Sequence, residues 1–457
     1  MFYRKIEPYI EDFLLHRRDK ILLIDGARQI GKSYIIRYVG QKLFPNYIEI
    51  NLLEDAEGKR LFADVRSAEH FYLQLSICAG GQLGNAEDTL VFLDEIQVYP
   101  EMMTLLKFLN RDGRYRYIAS GSMLGIALKK TASIPMGSIE SRRMYPMDFE
   151  EFLLAAGVGT AAIGHLKACF EKEESLPENT HRRLLELFRY YLIAGGLPDA
   201  VRAFVEEKNI PAVRKVQIET HRYYAEDASQ YSTENRLHIR EIYDGIPSRM
   251  ENIKKRVVVN RIENKKGKTF RDYQDSFEYL TAAGIALAVQ AVSTPVFPLL
   301  QEGSKNLLKL YLNDPGILSA VLYGNNIRAI LDDQESVNLG SIYESAVASE
   351  LAAHGFPLFY YDNRKKGEVD FLIDDDRTLS AVPVEVKSGK DYSTHAALNR
   401  FLSNPDYHVD HAYVFSNSRE IRREGKLLYC PIYMVMFLQR NADRENAVEF
   451  TLGELEF

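Results

Sequence analysis

A chain of 457 residues has room for two to four domains. Its 46% hydrophobic and 26% charged residues match a globular composition, and 57 basic against 64 acidic side chains give a net charge of −7. That balance excludes a global basic field for nucleic acid, so any such site must be local. Cys78, Cys169 and Cys430 lie far apart with no CxxC or Cys/His cluster, which argues against structural zinc and for a reduced, cytoplasmic chain. No apolar signal-peptide core and no membrane-length apolar run is visible, so no membrane partner is expected.

Arg4 to Arg18 reads as a leading helix. Ile21 to Ile24 then predicts a buried strand, followed by Gly26-x-x-x-x-Gly31-Lys32-Ser33 and a helical stretch through Tyr38. This is the strand–loop–helix context of a phosphate-binding loop. The stretch Gly26, Ala27, Arg28, Gln29, Ile30, Gly31, Lys32, Ser33 and Tyr34 is expected to wrap ATP. Backbone N–H groups and Lys32 would face the phosphates, and the Ser33 hydroxyl would ligate Mg²⁺. A second strand is expected over 47–52 and a helix over 67–79. Thr89-Leu-Val-Phe-Leu-Asp94-Glu95 predicts a buried strand delivering two carboxylates to the sheet's C-terminal edge. Asp94 would hold the Mg²⁺ and Glu95 would polarise the attacking water. A further strand at 115–119 ends in Ser120 and Ser122, candidate sensors of the γ-phosphate or simple turn residues. Arg142 and Arg143 precede a helix starting near Asp148; either is a candidate arginine finger for a neighbouring subunit of a homo-oligomer, or plain surface charge.

The segments GARQIGKS (26–33), VFLDEIQ (91–97), ASGS (119–122), SRRMYPMDFEEFL (141–153), YLIAGGLPDAV (191–201), GEVDFLI (367–373) and VPVEVKSG (382–389) together resemble AAA+-superfamily ATPases of bacteria and archaea. In that family the C-terminal half is a domain of unknown function related to restriction-endonuclease-like folds. The resemblance implies an α/β multidomain chain with a P-loop AAA+-like ATPase domain over 1–155, a helical lid over 156–235 and a restriction-endonuclease-like domain over 301–457. The helix, helix, helix, strand pattern of 236–292 resembles a winged helix and sets a winged-helix-like module over 236–300.

In the middle of the chain, 178–230 is helical in pattern and interrupted once at Gly195-Gly196-Leu197-Pro198. Between Lys254 and Arg271 lie eight basic residues, Lys254, Lys255, Arg256, Arg261, Lys265, Lys266, Lys268 and Arg271, opposed only by Glu263. A DNA-phosphate footprint is one reading. The helix expected to read a groove, 270–283, carries Asp272, Asp275 and Glu278, which favours phosphate contact or a protein joint over base reading.

Towards the C-terminus, 340–354 reads as an amphipathic helix carrying Glu344. Val369, Phe371 and Ile373 alternate with Asp370, and Val384 and Val386 alternate with Glu385 and Lys387. Two strands joined by a hairpin would bring Asp370, Glu385 and Lys387 together, with Glu344 from the helix. Glu344, Asp370 and Glu385 would hold a metal and Lys387 would stabilise the transition state of phosphodiester cleavage. The leading functional expectation is an ATP-hydrolysing protein that couples nucleotide state to a nuclease-like domain acting on nucleic acid. The alternative is an ATP-gated switch whose nuclease-like domain is inert and binds a partner.

Overall fold

Five segments of the first third line up as parallel strands: β1 (Ile21–Asp25), β2 (Asn46–Asn51), β3 (Thr89–Asp94), β4 (Arg116–Gly121) and β5 (Ile139–Arg143), in the order β2-β3-β4-β1-β5. The structure, a computed structural model, describes residues 2–17, 19–80, 83–85, 87–122, 137–230, 236–252, 255–263, 265–299, 307–332, 339–389 and 395–440. Lys254 of the basic stretch lies outside the described residues.

Alternation along β1 explains why this sheet is buried on both faces. Ile21 and Leu23 join one apolar cluster with helices Ala68–Ala79 and Pro100–Asp112, while Leu22 and Ile24 join another with helix Lys32–Leu43. The second cluster does not stop at the ATPase part. It runs on through Phe149, Phe188 and Tyr191 to Tyr343, Val347, Val384 and Met434, so the N-terminal sheet, the helices beside it and the C-terminal part share one continuous core.

Helices Thr160–Glu171, Glu178–Ala194, Pro198–Val205 and Ile210–Gln230 fill the region expected to be a lid. The break at Gly195–Leu197 has a packing cause. The Asp314 carboxylate caps helix Pro315–Tyr323 through the N–H of Ile317 (2.9 Å) and also accepts the N–H of Gly196 (2.5 Å). Met147 N–H donates to the Gly196 carbonyl at 2.7 Å.

Eight further strands form one mixed sheet: β6 (Ala286–Val292), β7 (Leu308–Leu312), β8 (Phe359–Asn363), β9 (Gly367–Asp375), β10 (Ser380–Lys387), β11 (Ala412–Ser416), β12 (Arg422–Glu424) and β13 (Leu427–Pro431). Their order is β12-β13-β11-β10-β9-β8-β6-β7. β6 was expected to belong to a separate winged-helix-like module, but it pairs with β7 and β8 and so sits inside the C-terminal sheet. Residues 286–292 therefore share a sheet with the residues that follow.

Two expectations change here. Helix Gly340–Ala353 is not amphipathic in its setting: Ser341 to Ala352 are all buried, because the sheet covers one side and helices Glu178–Ala194 and Pro315–Tyr323 cover the other. Strict alternation along β9 is also broken. Phe359 faces Leu372 while Tyr361 faces Val369, so β9 supplies one residue more than β8 in between, at Asp370–Phe371. A bulge of this kind re-aims a side chain, and it places Val369 and Phe371 in different apolar clusters.

Gly196 is the glycine that this fold depends on most directly. A Cβ there would lie 2.0 Å from the Met147 carbonyl oxygen and 2.6 Å from the Met147 nitrogen, both backbone. Gly196→Ala is expected to cost roughly 2–3 kcal/mol of stability in chemical denaturation; a wild-type midpoint would show that the 144–148 strap yields.

Candidate functional site

The phosphate-loop sequence sits where β1 passes into helix Lys32–Leu43, and its outward carbonyls are tied down from several directions. Arg4 donates to Ile30 O (2.8 Å) and Tyr145 O (2.6 Å), and the Tyr224 hydroxyl donates to Arg28 O (2.6 Å). A trans peptide points its N–H opposite its C=O, so these bonds turn the N–H groups of Gly31 and Gln29 the other way. Gln29 is held in the left-handed region (φ 62°), and its side chain accepts the Thr220 hydroxyl at 2.6 Å. Gly26 has no alternative, since a Cβ would lie 2.3 Å from Met144 O. The Lys32 ammonium is buried inside the loop and donates to Gly26 O (2.9 Å) and Ala27 O (2.7 Å). Burial lowers its pKa despite the pull of Glu95, Asp25 and Asp94.

Beside the loop, the end of β3 is fixed by hydroxyls. Asp94 Oδ2 accepts from Ser33 Oγ at 2.7 Å, and Oδ1 accepts from Ser120 Oγ and from the Glu95 N–H at 3.0 Å. Burial raises the Asp94 pKa although both serines oppose the shift. Two hard oxygen donors converging this closely fit a magnesium ion, which takes oxygen ligands. Glu95 has left-handed backbone (φ 54°), a conformation that costs a non-glycine residue energy and recurs at functional positions. Its carboxylate accepts from Gln97 and from Ser122 Oγ (3.2 Å). Ser122 in turn accepts from Arg28 Nε (3.2 Å) and Gln97 Nε2 (3.1 Å). Arg28 also reaches the Tyr223 hydroxyl and, at 3.2 Å, Asp227, both on helix Ile210–Gln230. Burial disfavours its charge, but Asp227 and Glu95 outweigh that and raise its pKa. The loop, Glu95 and the helical region are thus linked through one arginine. On the other side of the loop a cavity of about 590 Å³ is lined by Phe2, Gly31, Tyr34, Met147, Pro198 and Arg202 among others.

The two arginines proposed as a finger sit at the end of β5, an edge strand. Arg143 donates through Nη2 (2.7 Å) and Nε (3.0 Å) to one Asp25 oxygen, Oδ2, and also donates to the carbonyls of Thr281 (3.2 Å) and Ala282 (2.8 Å). These bonds tie the half-exposed guanidinium of Arg143 to the end of β1 and to the helix beside it. Arg142 places its guanidinium over the Tyr9 ring, 4.2 Å from the centroid. The carbonyls that Arg143 holds end helix Gln274–Ala282, the helix read as a groove reader. Its end lies against the phosphate loop instead: a Cβ on Gly284 would be 3.2 Å from the Ala27 nitrogen.

In the C-terminal sheet, Asp370, Glu385, Lys387 and Glu344 do come together, and two further lysines join them. Lys387 pairs with Glu385 Oε1 at 2.9 Å, Lys255 pairs with Glu344, and Lys309 lies 2.5 Å from Glu368 Oε1 with its ammonium over the Tyr360 ring. The Asp370 carboxylate accepts the Val386 N–H at 2.8 Å. Burial, with Glu385 and Glu344 nearby, pushes the Asp370 pKa well above the carboxylate range against Lys309 and Lys255. The Glu385 pKa is raised by burial too, and its Oε2 is buried without a hydrogen-bond partner. Sequence reasoning missed Lys255 and Lys309 in this cluster, because one lies in the basic stretch and the other in an apolar run. The basic stretch itself is partly neutralised: Lys255, Arg256, Lys265 and Lys268 face Glu344, Asp362, Glu263 and Asp272. Arg261, Lys266 and Arg271 are exposed.

A third ionic group joins the N-terminal segment to the C-terminal part. Asp148, Glu350 and His354 each place a ligand atom within 4.8 Å of the others, the one such group of His, Cys, Asp and Glu among the described residues. The positions are already engaged: Lys5 Nζ lies 2.6 Å from Asp148 Oδ2, Phe149 N–H donates to Glu350 Oε1 at 2.6 Å, and His354 Nδ1 donates to Leu438 O at 2.7 Å. The group is therefore an internal ion network.

Residues 18–153 match the family model described as an AAA domain. The N-terminal part is an AAA-type P-loop domain. Residues 185–327 and 339–435 match two domains of unknown function, DUF8612 and DUF4143. No curated protein matches the chain. Among solved structures, the Walker-type ATPase of Pyrococcus abyssi is 14% identical with a TM-score of 0.42, covering 70% of this chain and 96% of that one. The Orc1 protein of Aeropyrum pernix in complex with DNA is 15% identical with a TM-score of 0.30, covering 70% and 92%. The RuvB Holliday junction branch migration motor of Thermotoga maritima is 14% identical with a TM-score of 0.29, covering 62% and 89%. Among the described residues no helix is long and apolar enough to cross a membrane.

The ion network around the AAA-type domain carries a pH signature. Burial and the neighbouring Asp148 push Glu350 up to about 7 from 4.5. Burial lowers the His354 pKa but its bond to Asp148 and the charge of Glu350 outweigh that and raise it above 6.5. Both groups hold protons more tightly folded than unfolded, so their stabilisation is present at mildly acidic pH and is lost as pH rises through the folded values. Melting temperature is expected to fall between about pH 5 and pH 8, and His354→Gln should flatten that slope; an unchanged slope in the variant would remove His354 from the account.

Proposed function

We propose that the chain binds and hydrolyses ATP at the AAA-type domain and uses the nucleotide state to reposition its C-terminal part. The observation that carries this reading is the convergence of Ser33, Asp94, Ser120 and Glu95 beside a phosphate loop whose carbonyls are tied outward. The Gln29 and Gly31 N–H groups and Lys32 would bind the β- and γ-phosphates, with Lys32 leaving the Gly26 and Ala27 carbonyls to do so. Ser33 and Asp94 would hold Mg²⁺, which neutralises charge on the phosphate oxygens. Glu95, oriented by Gln97 and Ser122, would take the proton of the attacking water. Arg28 is positioned to report on Glu95 to helix Ile210–Gln230 through Asp227 and Tyr223. The cavity bounded by Phe2, Tyr34 and Pro198 suits the flat face of the adenine base. Glu95→Gln is expected to retain nucleotide while phosphate release slows at least about 100-fold, and Lys32→Ala to lose nucleotide binding by fluorescence titration. Undiminished turnover in Glu95→Gln would overturn the assignment.

For the C-terminal part, the proposed target is nucleic acid, with Asp370, Glu385 and Glu344 as oxygen donors for a divalent metal and Lys387 beside them. Support comes from the meeting of these side chains where β9 and β10 pair. The second reading, an inert domain that binds a partner, is favoured by the lysines already lodged in the cluster. Plasmid incubated with Mn²⁺ and ATP separates them: nicking that is lost in Lys387→Ala supports cutting, and equal inertness of both proteins supports the second reading.

A further inference from the structure

One face of helix Ile210–Gln230 is laid along the phosphate loop. Thr220, Tyr223, Tyr224 and Asp227 recur at the three- and four-residue spacing of a single helix face. Each of them meets the loop. Thr220 donates to the Gln29 side chain at 2.6 Å and the Tyr224 hydroxyl to Arg28 O at 2.6 Å. Tyr223 accepts a hydrogen bond from the Arg28 guanidinium, and Asp227 Oδ1 lies 3.2 Å from it. The same helix is fastened to the C-terminal part by Arg214, whose Nη1 donates to Ser319 Oγ at 2.8 Å on helix Pro315–Tyr323.

The guanidinium held by this face stands inside the proposed ATPase site. Its Nε donates to Ser122 Oγ at 3.2 Å, and Ser122 donates to Glu95 Oε2 at 3.2 Å. Burial opposes the Arg28 charge, yet Asp227 and Glu95 together raise its pKa. Burial also lowers the Lys32 pKa, and the Arg28 charge adds to that. Arg28 is thus within electrostatic reach both of the ammonium assigned to the phosphates and of the carboxylate assigned to the attacking water. The arginines expected to serve as a finger are engaged elsewhere, Arg143 with Asp25 and Arg142 over the Tyr9 ring.

We infer that Arg28 is an arginine finger supplied by the chain to its own site, and that Asp227 and Tyr223 on helix Ile210–Gln230 hold it back between turnovers. This rests on the proposed ATPase reading and adds the residue that neutralises the transferring phosphoryl group. Hydrolysis joins the water oxygen to the γ-phosphorus as the bond to the bridging oxygen breaks. ADP leaves with the bonding electrons, and the water proton passes to Glu95. Negative charge grows on the bridging oxygen during that step, and a planar guanidinium offsets it while pairing with the γ-oxygens. Exchanging Asp227 for a phosphate oxygen keeps Arg28 paired throughout and couples the step to where the helix lies.

A fluorescent ADP is titrated into the full chain with and without aluminium fluoride, and turnover is measured alongside. The wild type is expected to bind at least about tenfold more tightly when aluminium fluoride completes the transition-state mimic. Arg28→Ala and Arg28→Lys should keep ADP affinity within about threefold, lose that gain, and lower kcat at least about 100-fold. Asp227→Asn and Tyr223→Phe should each raise kcat at least about threefold, because a competing partner of Arg28 is gone. Thermal melts establish that each variant is folded, and Arg28→Lys carries the test should Arg28→Ala melt early. Retention of the aluminium fluoride gain in the Arg28 variants would place Arg28 behind Glu95 and overturn the finger. Activity per molecule that climbs with protein concentration also overturns it, since that marks a finger from a second copy. Unchanged or slower turnover in both Asp227→Asn and Tyr223→Phe overturns the restraint. A wild type inert toward ATP defeats the ATPase reading and the finger with it, whereas every other outcome leaves the ATPase standing.

Discussion

The ion pair between Arg143 and Asp25 is the constraint on which the rest of the molecule turns. Asp25 is the last residue of β1, and the phosphate loop starts at the next position, so the pair sets where that loop begins. The same guanidinium holds the final carbonyls of helix Gln274–Ala282 and thereby leans that helix on the loop. With its arginine a third exposed, the pair is modest evidence for stability on its own, because solvent screens much of the attraction. Its value lies in geometry: three segments far apart in sequence meet at one planar, five-donor group, which a lysine could not satisfy.

Charge balance organises both chemical clusters, in opposite ways. At the ATPase end, Asp94 is fixed by neutral hydroxyls from Ser33 and Ser120, and Lys32 is turned back onto carbonyls, which leaves negative charge available for a cation. At the C-terminal end, comparable carboxylates are answered by ammonium groups from the chain itself. The contrast follows from placement. Asp94 sits at a strand's end beside a loop, whereas Asp370 sits at a bulge within a sheet covered by a buried helix.

Much of the first third was legible in the residues. An apolar run leading into Gly26-x-x-x-x-Gly31-Lys32-Ser33 has one economical folding outcome, and Asp94 and Glu95 fall where the end of a buried strand puts them. What stayed hidden were contacts made at long sequence separation. Nothing in the local pattern of Arg28 announces Asp227, and Arg143 looks like surface charge until Asp25 is seen beside it. In the C-terminal part, alternation along β10 places Glu385 beside Lys387, but the bulge that shifts the parity of β9 has no period to betray it. The 236–300 region misled for a related reason. A run of helices followed by a strand does not say which sheet the strand will join, and β6 joins the larger one.

That membership gives Gly284 an unusual mechanical position. One residue separates it from β6, and a Cβ added to it would lie 3.2 Å from the Ala27 nitrogen. The connection from this contact into the eight-strand sheet is one residue long and enters on the strand next to β7. β6 in turn pairs with β7 and β8, so the contact beside Ala27 leads straight into the larger sheet.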